Sequence, residues 1–186
     1  MTVQQRLIPG KYRLTVKDFL RLGDSGVFGT DRTELLDGDI IVMNAEYRPH
    51  AWTVGELGYL IRRMLEKMGS DLHVMSASVA LSHHDMPLPD IVLTDEPKGA
   101  GPIPSTSVSL VVEVASSTLD RDLGSKLSSY AQAAIPEYWV VDVESRTIHQ
   151  FWSPGEGVYR QTNSVAFGAD MAAATLPGLT IETAAL

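Results

Sequence analysis

The sequence predicts a single α/β domain in which a mixed β-sheet is flanked by helices behind an N-terminal β-hairpin. Three observations predict it. Apolar runs of strand length alternate with segments of helical apolar spacing. An Asp-Gly pair, Asp37-Gly38, separates two apolar runs near the N-terminus, which is a strong hairpin signal. The chain of 186 residues shows no internal repeat, low-complexity tract or second-domain boundary, and its length suits one domain with a real core.

The elements follow in order. Thr15 caps a short helix through Arg21, with Val16, Phe19 and Leu20 as its apolar stripe. Glu34-Leu35-Leu36 and Asp39-Ile40-Ile41-Val42 form the hairpin around Asp37-Gly38, and a polar loop over 44–50 ends in Pro49-His50. From about Ala51 to Met68, Val54, Leu57, Ile61, Met64, Leu65 and Met68 recur at helical spacing, and Gly69 stops the helix. Leu72 to Leu81 alternates as one strand. The loop SHHDMPLP then leads into the apolar strand Asp90-Ile91-Val92-Leu93-Thr94. Residues 96–107, rich in Gly, Pro and Ser, form a surface loop. V-S-L-V-V-E-V-A, from Val108 to Ala115, is a buried strand. The stretch SSTLDRD opens a helix from about Asp122 to Ala134, which Pro136 ends. Tyr138 to Asp142 and Ile148 to Trp152 pair as a hairpin through a turn at Val143–Thr147, and 153–186 fall into short strands and turns.

Composition excludes several classes. Hydrophobic residues make up 44% and charged residues 20%, as in an ordinary soluble globular protein. The chain has no cysteine, which excludes disulfides and thiolate metal sites and suits the cytoplasm. The N-terminal stretch MTVQQRLIPGKYR has no apolar leader region, and no apolar run is long enough to span a membrane. A formal net charge of −8 argues against strong non-specific nucleic-acid binding. It is compatible with a DNA enzyme whose acidic cluster holds a divalent ion, because the ion restores local positive charge.

The chemistry centres on Glu113, a carboxylate inside an apolar strand. An unpaired polar group there costs roughly 2–7 kcal/mol and a bare charge more, so a cation, a metal ion or a proton must offset it. Asp90 follows Pro89 at the head of the preceding apolar strand. If the two strands are neighbours, both carboxylates meet at one edge of the core, where they repel unless a proton or metal sits between them. Oxygen ligands of this kind suit Mg²⁺ or Mn²⁺. On the following helix Leu123, Leu127, Tyr130 and Ala134 form the apolar stripe, and Lys126 lies at its edge. Its stem can cover the core while its ammonium reaches the sheet, either beside a metal-bound water or as the salt-bridge partner of Glu113.

These residues carry a resemblance. ELLDGDIIVM, Pro49-His50, LPDIVLTD, LVVEVASSTLDRDLGSKLSSYAQAAIPEYWVVD and IHQFW stand over 15–152 in the order of the Uma-type restriction-endonuclease family of the PD-(D/E)XK nuclease superfamily, and Leu110 to Asp142 is the most specific block. The resemblance implies a restriction-endonuclease-like fold and Mg²⁺- or Mn²⁺-dependent hydrolysis of DNA phosphodiester bonds. It implies Asp90 and Glu113 as metal ligands and Glu34 as an outer ligand through water, and the backbone carbonyl of Val114 can supply a further oxygen. His50 matches a histidine before the first core helix. Where the superfamily often has lysine two residues after the acid, Ala115 stands here, and Lys126 matches the lysine this branch carries on the next helix. Relatives with this fold often act as homodimers, which suits cutting two strands. The alternative is a catalytically inactive module that binds nucleic acid or protein through the same fold.

Other motifs read more plainly. His83-His84-Asp85 belongs to a solvated loop, since adjacent side chains on extended chain point apart. Ser116, Ser117 and Thr118 fit helix capping, with no G-x-S-x-G elbow nearby. Gly99-Ala100-Gly101 precedes a proline rather than a helix, which argues against a phosphate loop. Arg62, Arg63 and Lys67 form a small basic patch on the first core helix, either a solvated face or a contact for a phosphate backbone.

Overall fold

The computed structural model describes residues 10–186; the opening residues 1–9, part of the stretch read above for a leader, lie outside that range. The chain forms a six-stranded mixed sheet with helices on both faces, and the predicted hairpin stands beside it.

Helix α1 (Val16–Asp24) starts where a capping box forms: the Thr15 hydroxyl accepts from Asp18 N, and the Asp18 carboxylate accepts from Thr15 N. Strands β1 (Thr33–Leu36) and β2 (Asp39–Val42) are antiparallel. Their turn has φ of 51° at Asp37 and 78° at Gly38, the left-handed pair that a two-residue hairpin needs. Gly38 is also fixed by space, since a Cβ there would lie 2.7 Å from Arg13 Cβ.

Helix α2 (Arg48–Met68) begins one turn earlier than the spacing predicts, because Pro49 suits the first helical turn. It ends at Gly69 with φ 64°. The expected strand over Leu72–Leu81 is two pieces. Strand β3 (His73–Met75) joins the main sheet, while β4 (Val79–Ala80) pairs in parallel with β6 (Ile103–Pro104) inside the predicted surface loop. The break has a cause. The partner strand β5 (Ile91–Thr94) begins after Pro87 and Pro89, so β3 has no ladder beyond Met75–Val92. The loop over 82–89 is not simply solvated: Met86 exchanges backbone bonds with Leu35 and docks it on the hairpin.

Strand β7 (Val108–Ala115) lies between β5, antiparallel, and β8 (Glu137–Asp142), parallel. The crossover between β7 and β8 is the second helical segment, in three parts. A single α turn, α3 (Leu119–Arg121), runs into a π-helical turn at Asp122–Lys126 and then into α4 (Leu127–Gln132). The regular helix predicted from Asp122 is therefore broken at its start. Strands β9 (Thr147–Gly155) and β10 (Val158–Ala166) complete the sheet in the order β10-β9-β8-β7-β5-β3. Strand β10 is nine residues long, where only short strands were expected. A small pair, β11 (Asp170–Ala172) and β12 (Thr180–Glu182), follows.

Two apolar layers hold the sheet. Leu57, Ile61 and Leu65 of α2 pack with Leu110, Val112 and Val114 of β7, and Met171 and Ile181 close the same layer. On the other face Val111 and Ala115 pack with Tyr130 of α4 and Tyr138 of β8. Strand periodicity thus sorts β7 between the two layers and leaves Glu113 on the side of the crossover helix.

Candidate active site

The ladder brings the two predicted carboxylates together. Ile91 stands opposite Val112, so Asp90, one residue earlier, comes beside the next pair of β7 residues. Asp90 Oδ2 accepts from Val114 N at 2.7 Å and lies 3.3 Å from His50 Nε2. A strand residue presents its N–H and C=O to the same neighbour, so Val114 turns its carbonyl toward Asp90 as well.

Lys126 reaches Glu113 from the crossover. Its Nζ lies 3.0 Å from Glu113 Oε1 and 3.0 Å from Glu34 Oε2, and all three side chains are buried. The Tyr130 hydroxyl, one turn on, donates to the same Glu113 oxygen at 2.7 Å. The π turn also buries Asp122, whose Oδ2 accepts from the Thr118 hydroxyl. Such turns recur at functional sites because they reset which side chains face inward. Arg121 Nη1 stands 3.7 Å from Glu34 Oε1. Among the described residues, Glu34 Oε1, His50 Nδ1 and Arg121 Nε are buried without a hydrogen-bond partner.

These groups open on a cleft of about 380 Å³ between the loop over 42–47 and the start of the crossover. Asp90, Glu113, Val114, His50, Arg121 and Lys126 line it, and Glu34 lies beneath Lys126, wholly buried. Burial pushes the Glu113 carboxyl up to about 8 against the pull of Lys126, with Asp90 and Asp122 adding to the rise. Burial alone would lower Lys126, but Glu113, Glu34 and Asp122 around it raise its pKa, so the ammonium keeps its charge. Asp122 is raised by burial, and His50 is raised by its bond to Asp90.

The structure therefore brings Asp90, Glu113, Val114, Lys126 and His50 to one cleft, with Glu34 in contact from below. The arrangement also contains residues that sequence reasoning did not single out. Tyr130 follows Lys126 by four residues and Asp122 precedes it by four, so both share its face, and helical spacing could have found them. Glu46 carried no signal. Its carboxylate reaches the cleft from the loop before α2, paired with Arg32. Ligand atoms of Glu46, His50 and Asp90 lie within 4.8 Å of one another, a grouping that leaves out Glu113. His83-His84-Asp85 stays apart from the cleft: His84 Nδ1 lies 2.8 Å from Leu14 O, and Asp85 accepts from Asp37 N.

The model of the Uma2 family, described as "Putative restriction endonuclease", matches residues 16–184. Among solved structures, a chain from Anabaena variabilis described as "a putative nuclease belonging to DUF820" superposes with a TM-score of 0.66 at 14% identity, over 86% of this chain and 89% of that one. At that identity the likeness bears on the fold alone. No curated protein matches the sequence.

Proposed function

The chain belongs to the Uma2 family, described as putative restriction endonucleases, and from that premise we propose that it is a divalent-metal-dependent endonuclease that hydrolyses DNA phosphodiester bonds. One observation carries the reading. Asp90 and Glu113 each bind protein donors through one oxygen, Oδ2 and Oε1, and both residues line an open cleft beside a buried ammonium. The other oxygen of each, with the Val114 carbonyl, is a donor set that suits Mg²⁺ or Mn²⁺. His50 and Glu46 stand beside Asp90 as further donors.

A bound ion supplies a water of lowered pKa and polarises the scissile phosphate. The remaining work falls to the chain. Lys126 has three donors, of which Glu34 and Glu113 engage two. The third is left to orient the attacking water or meet charge developing on the phosphate. Glu34 holds Lys126 from below the cleft. Tyr130 fixes the Glu113 carboxylate. A homodimer in the cytoplasm, with one cleft for each strand, is the assembly we propose.

The experiment is incubation of the pure protein with supercoiled plasmid and Mg²⁺ or Mn²⁺, beside Asp90→Ala, Glu113→Ala and Lys126→Ala. Nicking by the parent and none by the variants supports the site; nicking that persists in all three removes it. One observation favours a second reading. Lys126 balances Glu113 without a metal, as in an inactive binding module. No cleavage of single-stranded, double-stranded or branched DNA selects that reading.

A further inference from the structure

We propose that the outer face of α2 and the adjoining edge of the sheet form a track for a single-stranded nucleic-acid segment leaving the cleft. The proposal rests on the nuclease reading and specifies the substrate form and its path.

Asp90 supplies the continuity. It lines the catalytic cleft and also a second groove, which runs over Gly55, Gly58 and Tyr59 of α2 toward Arg62 and the edge strand β3. The helix side of this groove is kept open by glycine. A Cβ at Gly55 would meet nothing within 4 Å, and one at Gly58 would meet only Ile91 Cδ1 at 3.9 Å. A third groove continues past Arg62 to His73 and Lys98.

Its chemistry fits bases and phosphates. Tyr59 is 59% exposed, and the Arg63 guanidinium lies 5.8 Å from its ring centroid, a cation–π pair that orders the ring. Trp52, seven residues before Tyr59 and on the same helix face, is 64% exposed. Arg62 is held at the groove by a bond from Nη2 to Val74 O at 3.1 Å. Helix α2 is locally basic, although Glu66 also lines the third groove. Helix α2 carries Arg48, Arg62, Arg63 and Lys67 against Glu56 and Glu66, whereas the whole chain has a net charge of −8. Aromatic rings interleaved with basic groups form a stacking platform with a phosphate-tracking rim. A single strand can use that platform because its base faces are free, whereas a duplex keeps them stacked on each other. The basic patch at Arg62, Arg63 and Lys67 gains a role on this path.

Binding of a fluorescein-labelled mixed-sequence DNA single strand, and of its blunt duplex, is measured by anisotropy with EDTA present. Tyr59→Ala is expected to weaken single-strand binding by about tenfold and duplex binding much less, while Tyr59→Phe restores it. Arg62→Ala and Lys98→Ala are each expected to lower the salt slope for the single strand by about 0.7. Parent-like single-strand affinity in Tyr59→Ala overturns the track, as does equal weakening for strand and duplex. A shift in sedimentation of Tyr59→Ala with unchanged DNA binding also overturns it and makes the face an interface between copies. If the parent neither binds DNA nor nicks plasmid, the nuclease reading falls and takes the track with it. Nicking and binding that survive Tyr59→Ala remove the track alone.

Discussion

Lys126 Nζ lies 3.0 Å from Glu34 Oε2, tying the N-terminal hairpin to the π-helical turn across 92 residues of sequence. The same ammonium meets Glu113 at equal distance, so one buried cation joins two buried acidic groups from separate elements. Removing one partner of such a group leaves uncompensated charge in a low-dielectric site, at a cost of about 3–5 kcal/mol. Lys126→Ala is expected to destabilise the metal-free protein by that amount in urea denaturation, and Lys126→Ala combined with Glu34→Gln to recover part of it. Additive losses in the double variant would count against a shared network.

Glu113 titrates in a range where metal binding can be followed. Its carboxyl is raised to about 8, chiefly by burial. Below that pH an incoming ion must displace its proton; above it the carboxylate is already free. Mn²⁺ affinity is therefore expected to rise with pH up to about 8, by about tenfold per unit, and to level off beyond it. Calorimetry in buffers of different ionisation enthalpy reads the released proton. In Glu113→Gln that component of the slope disappears; a slope that survives there assigns the proton to another group.

The same shift sets the stability of the metal-free form. Glu113 is raised above its unfolded value, so its contribution is fully present below the unfolded pKa and is lost as pH rises through about 8. Thermal scans of metal-free protein are expected to show a fall in Tm between about pH 5 and pH 8, with Mn²⁺ reversing it most at the alkaline end.

Glu137 is a buried carboxylate with a structural role. Wholly buried in β8, it accepts from Trp139 Nε1 at 2.6 Å, Ala174 N at 2.9 Å, and Thr175 N and Oγ1 at 2.7 and 2.8 Å. Glu137→Ala strands the buried Trp139 N–H and releases the partly exposed donors of Ala174 and Thr175, and is expected to cost about 2–3 kcal/mol, at roughly 1–3 kcal/mol for a buried group left unpaired. Because it stands away from the cleft residues, Mn²⁺ should stabilise this variant by the same increment as the parent. A lost increment would place Glu137 in the metal site.

The capping box of α1 offers an acid-side test. Thr15, through its hydroxyl and backbone N–H, and the Tyr12 hydroxyl hold Asp18 down to about 2. A lowered carboxyl contributes stability above its unfolded pKa and loses it as pH falls through the folded one, here between about 4 and 2. Asp18→Ala is expected to cost about 0.5–1 kcal/mol at neutral pH and nothing at the acid end. Hydrogen exchange at Phe19 and Leu20 localises the effect.

The sequence by itself determined the alternation of Val108–Ala115, and with it that Glu113 leaves the apolar layer of Leu110, Val112 and Val114. It also determined the Asp37-Gly38 turn, the cap at Thr15 and the stop at Gly69, all set by local backbone sterics. Asp90 and Lys126 were legible as candidates because strand order and helical spacing are written in neighbouring residues. Tertiary structure alone decided the rest. That Lys126 meets Glu34 as well as Glu113 depended on how the hairpin closes over the crossover, which brings Glu34 to its second side. The strand over 72–81 broke because its ladder partner ended at Ile91, not because of any residue within it. Glu46 reached Asp90 only through the path of a loop. Local sterics fix where elements start and which way their side chains alternate; a meeting of residues 34, 90, 113 and 126 requires the register of separate strands and the closure of long loops, and no local signal encodes either.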